Sequence, residues 1–237
     1  MPDFYFVNAP LSRMRRHLAL LETPPPDGGV TLDFYRGPGA SFTELTLLTP
    51  DRAAPGLLSS VAATMLAMGV SVHTAWIHTL DAPDGSRGRL ALDTFLLGES
   101  AFLRARALSV KTQNALREEL ARVLRDKTSA ADVLARAPRA RGFEARRAVR
   151  VSDASAGNAG EFSLFKLRAF DSTGVFYRIT RALSHAGAGI EHAQINTFER
   201  EADDVFFVLD ARTGAPFDDD EATRVLARVC DELSRSE

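Results

Sequence analysis

The 237-residue chain has a single cysteine, Cys230. One thiol closes no internal disulfide, and no Cys/His cluster is spaced to hold a structural zinc. Net charge is also nearly absent: 29 Lys and Arg face 31 Asp and Glu, a formal −2, which gives no chain-wide attraction to nucleic acid or to an anionic membrane. The opening MPDFYFVNAP has neither the basic start nor the continuous apolar core of a secretory leader. A charge-free stretch of 28 residues, Ala53–Leu80, is broken by Pro55, Gly56, Ser59, Ser60, Gly69, Ser71, His73 and His78. A spanning helix needs about 20 predominantly apolar residues, so this stretch reads as a buried helix followed by a buried strand. With 45% apolar and 25% charged residues, the expectation is a globular cytoplasmic protein with no membrane and no nucleic-acid partner.

Charge is uneven locally. Residues 101–150 hold 13 basic and 5 acidic groups and end in ARAPRARGFEARRAVR, Ala135–Arg150. Only Phe143 is available there to stack on a base, and both flanking segments are acidic, so the run reads as a solvated linker.

What the chain does contain is an internal repeat. Leu45–Asp51 align with Phe165–Asp171 at a spacing of 120, and Gly56–Thr79 align with Gly174–Thr197 at a spacing of 118. Gly56/Gly174, Gly69/Gly187, Ala75/Ala193, Ile77/Ile195 and Thr79/Thr197 are identical. Leu58, Val61 and Met65, like Phe176, Ile179 and Leu183, fall on one face of a helix. Leu45–Leu48 and Leu164–Leu167 predict a strand before each helix, and Val70–Thr79 and Ala188–Phe198 one after it. A turn (Asp81–Gly88, with Asp84-Gly85 as a hairpin signal; Glu199–Asp203) then leads to strands Arg89–Leu97 and Asp204–Asp210, where Asp93-Thr94-Phe95 echoes Asp204-Val205-Phe206. Each copy ends in a helix carrying Leu108, Leu116, Leu120 and Leu124, or Val225, Leu226, Val229 and Leu233. Val30–Phe34 before Gly37-Pro38-Gly39, and Val149–Asp153 before Gly157-Asn158-Ala159-Gly160, predict an extra hairpin strand ahead of each copy. The stretch after Leu124 looks helical, so a strand closing the plan is not apparent.

The repeat, with TPDRAAPGLLSSVAATMLAMGVSVHTAWIHT and Asp93-Thr94-Phe95, resembles a pair of ACT domains, and most specifically the tandem ACT pair of the PII uridylyltransferase/uridylyl-removing enzyme family. The resemblance spans nearly the whole chain and implies an α+β fold of two ferredoxin-like (βαββαβ) domains with helices on one face of an antiparallel sheet. The implied organisation is a connector at 1–29, a first domain at 30–136, a linker at 137–147 and a second domain at 148–237. Three departures stand out. The first loop, Asp51-Arg52-Ala53-Ala54-Pro55-Gly56, interrupts the family's DRPG; the second, Asp171-Ser172-Thr173-Gly174, lacks both Arg and Pro. No nucleotidyltransferase Gly-Ser motif with paired Asp residues and no His-Asp doublet occur, so no catalytic residue is assigned.

The resemblance implies glutamine sensing in a regulatory, nitrogen-signalling context, with a site where two ACT domains meet. The residues agree with that expectation. A helix N-terminus offers unpaired N–H groups to a carboxylate, Gly56 and Gly174 admit close approach to the backbone, and Asp51 or Asp171 can receive an α-ammonium. The expected ligand-binding residues are Asp51, Arg52, Pro55, Gly56, Leu57 and Leu58 in the first loop and Asp171, Ser172, Thr173, Gly174, Val175 and Phe176 in the second. The expected ligand is a free amino acid, and no cofactor or metal is expected. Turn chemistry alone is the competing account, with the aspartates as caps and Val175 and Phe176 as core. Two further readings compete: an interaction or homo-oligomerisation module, with a signalling enzyme as another partner, and a C-terminal remnant of a uridylyltransferase.

Other candidates carry less. His73 and His78 point to opposite faces of one strand; His185 and His192 read as packing or surface groups, and Cys230 as core. Asp218-Asp219-Asp220-Glu221 complements the dipole of the last helix. Trp76, the only tryptophan, is a reporter of burial.

Overall fold

The computed structural model describes residues 5–6, 9–23, 25, 29–51, 55–81, 88–99, 106–137, 148–198 and 201–235. Arg52, most of the 81–88 turn and the basic segment 138–147 lie outside the described residues. In chain order the elements are helix α1 (Leu11–Glu22), strands β1 (Thr31–Tyr35) and β2 (Thr43–Pro50), helix α2 (Leu57–Ala67), strands β3 (Val70–Asp81) and β4 (Arg89–Glu99), and helices α3 (Val110–Arg125) and α4 (Ala130–Arg136). The second unit follows with β5 (Val151–Ala159), β6 (Phe162–Phe170), α5 (Val175–His185), β7 (Ala188–Phe198), β8 (Glu201–Asp210) and α6 (Asp219–Ser234).

Among the described residues, eight strands form one antiparallel sheet in the order β1-β2-β4-β3-β7-β8-β6-β5. Each half is a ferredoxin-like split βαβ whose fourth position is filled by the hairpin strand that precedes the unit. No strand follows α3 or α6 among the described residues; the chain after Leu124 turns into α4, as its sequence suggests. One hairpin differs from the sequence expectation. β5 runs on through Gly157 and Asn158, and the turn falls at Gly160-Glu161, because Gly160 takes φ 70° and Asn158 Oδ1 accepts its amide at 2.9 Å.

The two halves join through β3 and β7, with Ala75 opposite Ile195, Trp76 opposite Gln194 and Ile77 opposite Ala193. This register is self-symmetric, because residue 194 is the repeat equivalent of residue 76. A pseudo-two-fold axis therefore passes through that pair.

Side-chain alternation then sorts the two faces of the sheet. Leu45, Leu47, Ala75, Ile77 and Phe95, with Phe165, Ala193, Ile195 and Phe206, point toward α2–α6 and form a core that continues across the seam. The expected helix faces are buried: Leu58, Val61 and Met65 are 7%, 0% and 1% exposed, and Phe176, Ile179 and Leu183 are 7%, 0% and 0%. Not all helices share that face. α1, from the expected connector, lies on the opposite one, where Leu20 and Leu21 pack on Leu48, Leu80, Leu90 and Leu92. Arg13 donates to Glu44 from Nε (3.0 Å) and Nη2 (2.6 Å), and its guanidinium stacks 4.0 Å from the Trp76 ring centroid. No helix is long and apolar enough to cross a membrane among the described residues.

Two clefts at the seam

Each strand-to-helix loop faces the opposite unit. Asp51, Pro55, Gly56, Leu57 and Leu58 line a first cleft of about 160 Å³, closed on the far side by Thr180 and Ser184 of α5, Ala188–Glu191 of β7 and Asp210 of β8. Asp171, Ser172, Thr173, Gly174, Val175 and Phe176 line a second, wider cleft of about 680 Å³ against Met65 and Leu66 of α2 and Gly69–His73. The predicted loop residues thus fall into two separate places related by the pseudo-two-fold.

The helix starts explain the chemistry on offer. α3, α4 and α6 are capped by Ser109, Ser129 and Asp218, whose side chains accept from Thr112, Asp132 and Glu221 amides. α2 and α5 begin at Gly56 (φ 123°) and Gly174 (φ 79°) with no side-chain cap. The first-turn amides of α2 therefore meet no capping side chain at the first cleft, whereas in α5 the Val175 amide donates to the Ser172 carbonyl at 3.0 Å. A Cβ on Gly56 would sit 3.6 Å from Ser184 Oγ of the other unit, so the glycine serves both its left-handed backbone and the width of the cleft. Asp218 does complement the last helix, accepting from Glu221 at 2.7 Å.

The polar lining of the first cleft comes largely from residues that loop reasoning did not reach. Arg89, at the start of β4, makes an ion pair with Glu191 across the seam and lies 4.0 Å from Asp51. Asp51 also donates its amide to the Arg89 carbonyl at 2.8 Å. The Asp51 carboxylate is therefore already beside a cation, which weakens its expected role as the ammonium acceptor. Asp93 lies on the same strand face as Arg89 and is 2% exposed. Burial pushes its carboxyl up to about 8, opposed by a backbone hydrogen bond from His78 and reinforced by Asp51. The Asp93/Asp204 echo in the sequence was the available signal for this residue; nothing in the sequence revealed that Arg89 would meet Glu191.

In the second cleft His73 faces Asp171. Burial lowers the imidazole pKa and raises that of the carboxyl, and in each case the partner's charge opposes the shift. Asp171 also accepts from the Ser172 amide, which is the turn role that local chemistry predicts. Val175 and Phe176 are 6% and 7% exposed, and Phe176 packs edge-on against Phe95, with ring centroids 6.4 Å apart across the seam. They serve the core as well as the cleft wall.

The remaining candidates are dispersed. His73 and His78 lie on opposite faces of β3. His192 is paired with a residue no sequence argument placed beside it: it stands directly across the seam from His78, ring centroids 5.7 Å apart. Burial lowers both, to about 4 for His192 and about 3 for His78. Cys230 is only half-buried at the edge of the core. No group of three or more His, Cys, Asp or Glu side chains could hold a metal ion among the described residues.

The fold and its seam define a tandem pair of ferredoxin-like α+β units joined sheet edge to sheet edge, the architecture that the ACT resemblance implies. In sequence the chain resembles bifunctional uridylyltransferase/uridylyl-removing enzymes. It is 31% identical over 204 residues to that of Streptomyces coelicolor, covering 84% of this chain and 23% of the relative. It is 29% identical over 185 residues to that of Gluconobacter oxydans (76% and 18%), and 28% identical over 225 residues to that of Bradyrhizobium sp. strain ORS 278 (90% and 22%). The chain thus spans about a fifth of the length of these relatives. No protein-family profile matches it. A crystal structure of aspartate kinase from Synechocystis aligns with 81% of this chain and 39% of its own at 12% identity and a TM-score of 0.21; the fold assignment rests on strand order and register instead.

Proposed function

We propose that this chain is a regulatory module that binds a free amino acid, with glutamine the ligand that the family resemblance implies. The observation that carries the reading is the first cleft, where an uncapped helix start at Gly56 opens against the other unit. The helix amides suit the ligand carboxylate, and the acidic lining from Asp51, Glu191 and Asp210 suits its ammonium group. A volume of about 160 Å³ is below the roughly 300 Å³ at which drug-sized pockets begin, so it suits an amino acid and not a nucleotide. Occupancy would bear on how the two units sit together, because both walls belong to different units. That is the physical content of the regulatory reading.

Nitrogen signalling through a partner enzyme belongs to the same proposal, as does residence in the cytoplasm. No catalytic residue is assigned. A second reading, a segment of a longer uridylyltransferase, is favoured by the relatives' greater length. It leaves the ligand proposal unchanged.

The test is a thermal-shift and calorimetric screen of the twenty amino acids against the chain and its Gly56→Val variant. Glutamine is expected to raise the melting temperature of the wild type and to have a reduced effect on the variant. A wild type indifferent to all twenty would remove the reading.

A further inference from the structure

The floor of the first cleft holds an acid with an unused hydrogen-bonding atom. Asp93 Oδ1 is fully buried and has no hydrogen-bond partner among the described residues, while the carboxyl interacts with the His78 amide. An unsatisfied buried polar atom is costly to the fold, and here the residue that carries it lines the cleft. The repeat supplies a control. Asp204 is the equivalent acid of the second unit; it accepts from the Asn196 amide at 3.3 Å, leaves Oδ2 unpartnered, and lines neither cleft.

Resting on the amino-acid reading above, we propose that Asp93 is the specificity residue of the first cleft, pairing with the side-chain carboxamide of the ligand and so selecting glutamine over glutamate. The titratable groups lining the same cleft are Asp51, Arg89, Glu191 and Asp210. They amount to three further acids against one cation already paired with Glu191. A ligand carboxylate entering beside Asp93 meets this acidic surround without a free counter-charge. A carboxamide instead brings both a donor and an acceptor and carries no charge to bury. Burial keeps the Asp93 proton on at neutral pH, so the acid can donate to the amide oxygen and accept from the amide nitrogen at once.

The experiment is calorimetric titration of the whole chain with glutamine and glutamate at pH 7, for wild type, Asp93→Leu, Asp93→Asn and Asp204→Leu. The proposal expects wild type to bind glutamine at least roughly tenfold more tightly than glutamate. It expects Asp93→Leu to weaken glutamine by roughly tenfold or more, and Asp204→Leu to leave it unchanged. Asp93→Asn, neutral like the protonated acid and able to donate and accept, is expected to keep glutamine within a few-fold of wild type. Unchanged binding in Asp93→Leu, or equal affinity for glutamate, overturns the assignment. So does a loss in Asp93→Asn as large as in Asp93→Leu, which would mean an ionised carboxylate holding an ammonium. Should Asp93→Leu fail to fold, the asparagine variant and the glutamate comparison still decide. A wild type that binds no amino acid removes the underlying reading and this inference together; a wild type that binds while Asp93→Leu is unaffected removes only the inference.

Discussion

At one corner of the seam Arg89 reaches across to Glu191; at the symmetry-related corner His73 stands where Glu191 stands, and it faces Asp171. The backbones agree closely enough that both helices start at a positive-φ glycine without a side-chain cap. The volumes, about 160 and 680 Å³, do not agree. Duplication has kept the glycine-started helices while the side chains that line the two clefts have diverged. The outer faces diverge too. α1 covers that of the first unit, while in the second Lys166, Arg168 and Phe170 are exposed.

Four measurements would break or sharpen this contrast. The largest effect is expected from the core, which is continuous across the seam. Phe95 and Phe206 are equivalent and fully buried, so alanine at either should cost about 3–5 kcal/mol. With one core across the seam, Trp76 fluorescence and far-UV circular dichroism should report one transition in each variant. Two separated transitions would show that the units fold independently.

The next effect belongs to the first unit alone. Arg13→Ala removes the guanidinium that holds Glu44 and stacks on Trp76, at a cost of about 2 kcal/mol. Trp76 emission should shift to the red; an unaltered spectrum would mean that α1 stays docked without it.

A smaller effect is pH-dependent. Burial raises the Asp204 carboxyl to about 8, above its unfolded value, so its favourable contribution is complete below about pH 4 and is lost as pH rises toward 8. Asp204→Asn should therefore have little effect near pH 4 and stabilise by about 1–3 kcal/mol at pH 8. The comparison must be made against wild type at each pH. The buried His17, His78 and His192, lowered to about 4, 3 and 4, remove stability as pH falls below 6.5. A gain independent of pH would contradict the assignment. The smallest effect is expected at Arg168, whose exposed pair with Asp203 is worth under about 1 kcal/mol; a larger loss in Arg168→Ala by denaturant titration would mean that the second unit's outer face is less open than it looks.

Much of the fold was legible because the repeat let each half check the other. Three- and four-residue spacings in 58/61/65 and 176/179/183 fixed both helix faces, and Gly69 and Gly187 marked where those helices end. α1 was not legible as an outer-face helix, since its packing depends on Arg13 meeting Glu44 and His17 meeting Thr46 and Thr94, contacts between distant segments. The candidate site was legible in its local part, the glycine-started helices. Arg89, Asp93 and Glu191 were not, because they reach one place only through the β2–β4 and β3–β7 registers together, and pairing between distant strands leaves no short-range pattern. Asp51 shows the same limit from the other side: its loop position suggested a free carboxylate, and the neighbouring strand supplied Arg89.

Backbone amide chemical shifts during a glutamine titration would test most directly whether the first cleft is the ligand site. The account predicts saturable changes concentrated at Gly56–Ser59 and, across the seam, Gly189–Glu191, with Asp171–Phe176 little affected. Changes confined to the second cleft, or none at millimolar glutamine, would contradict it.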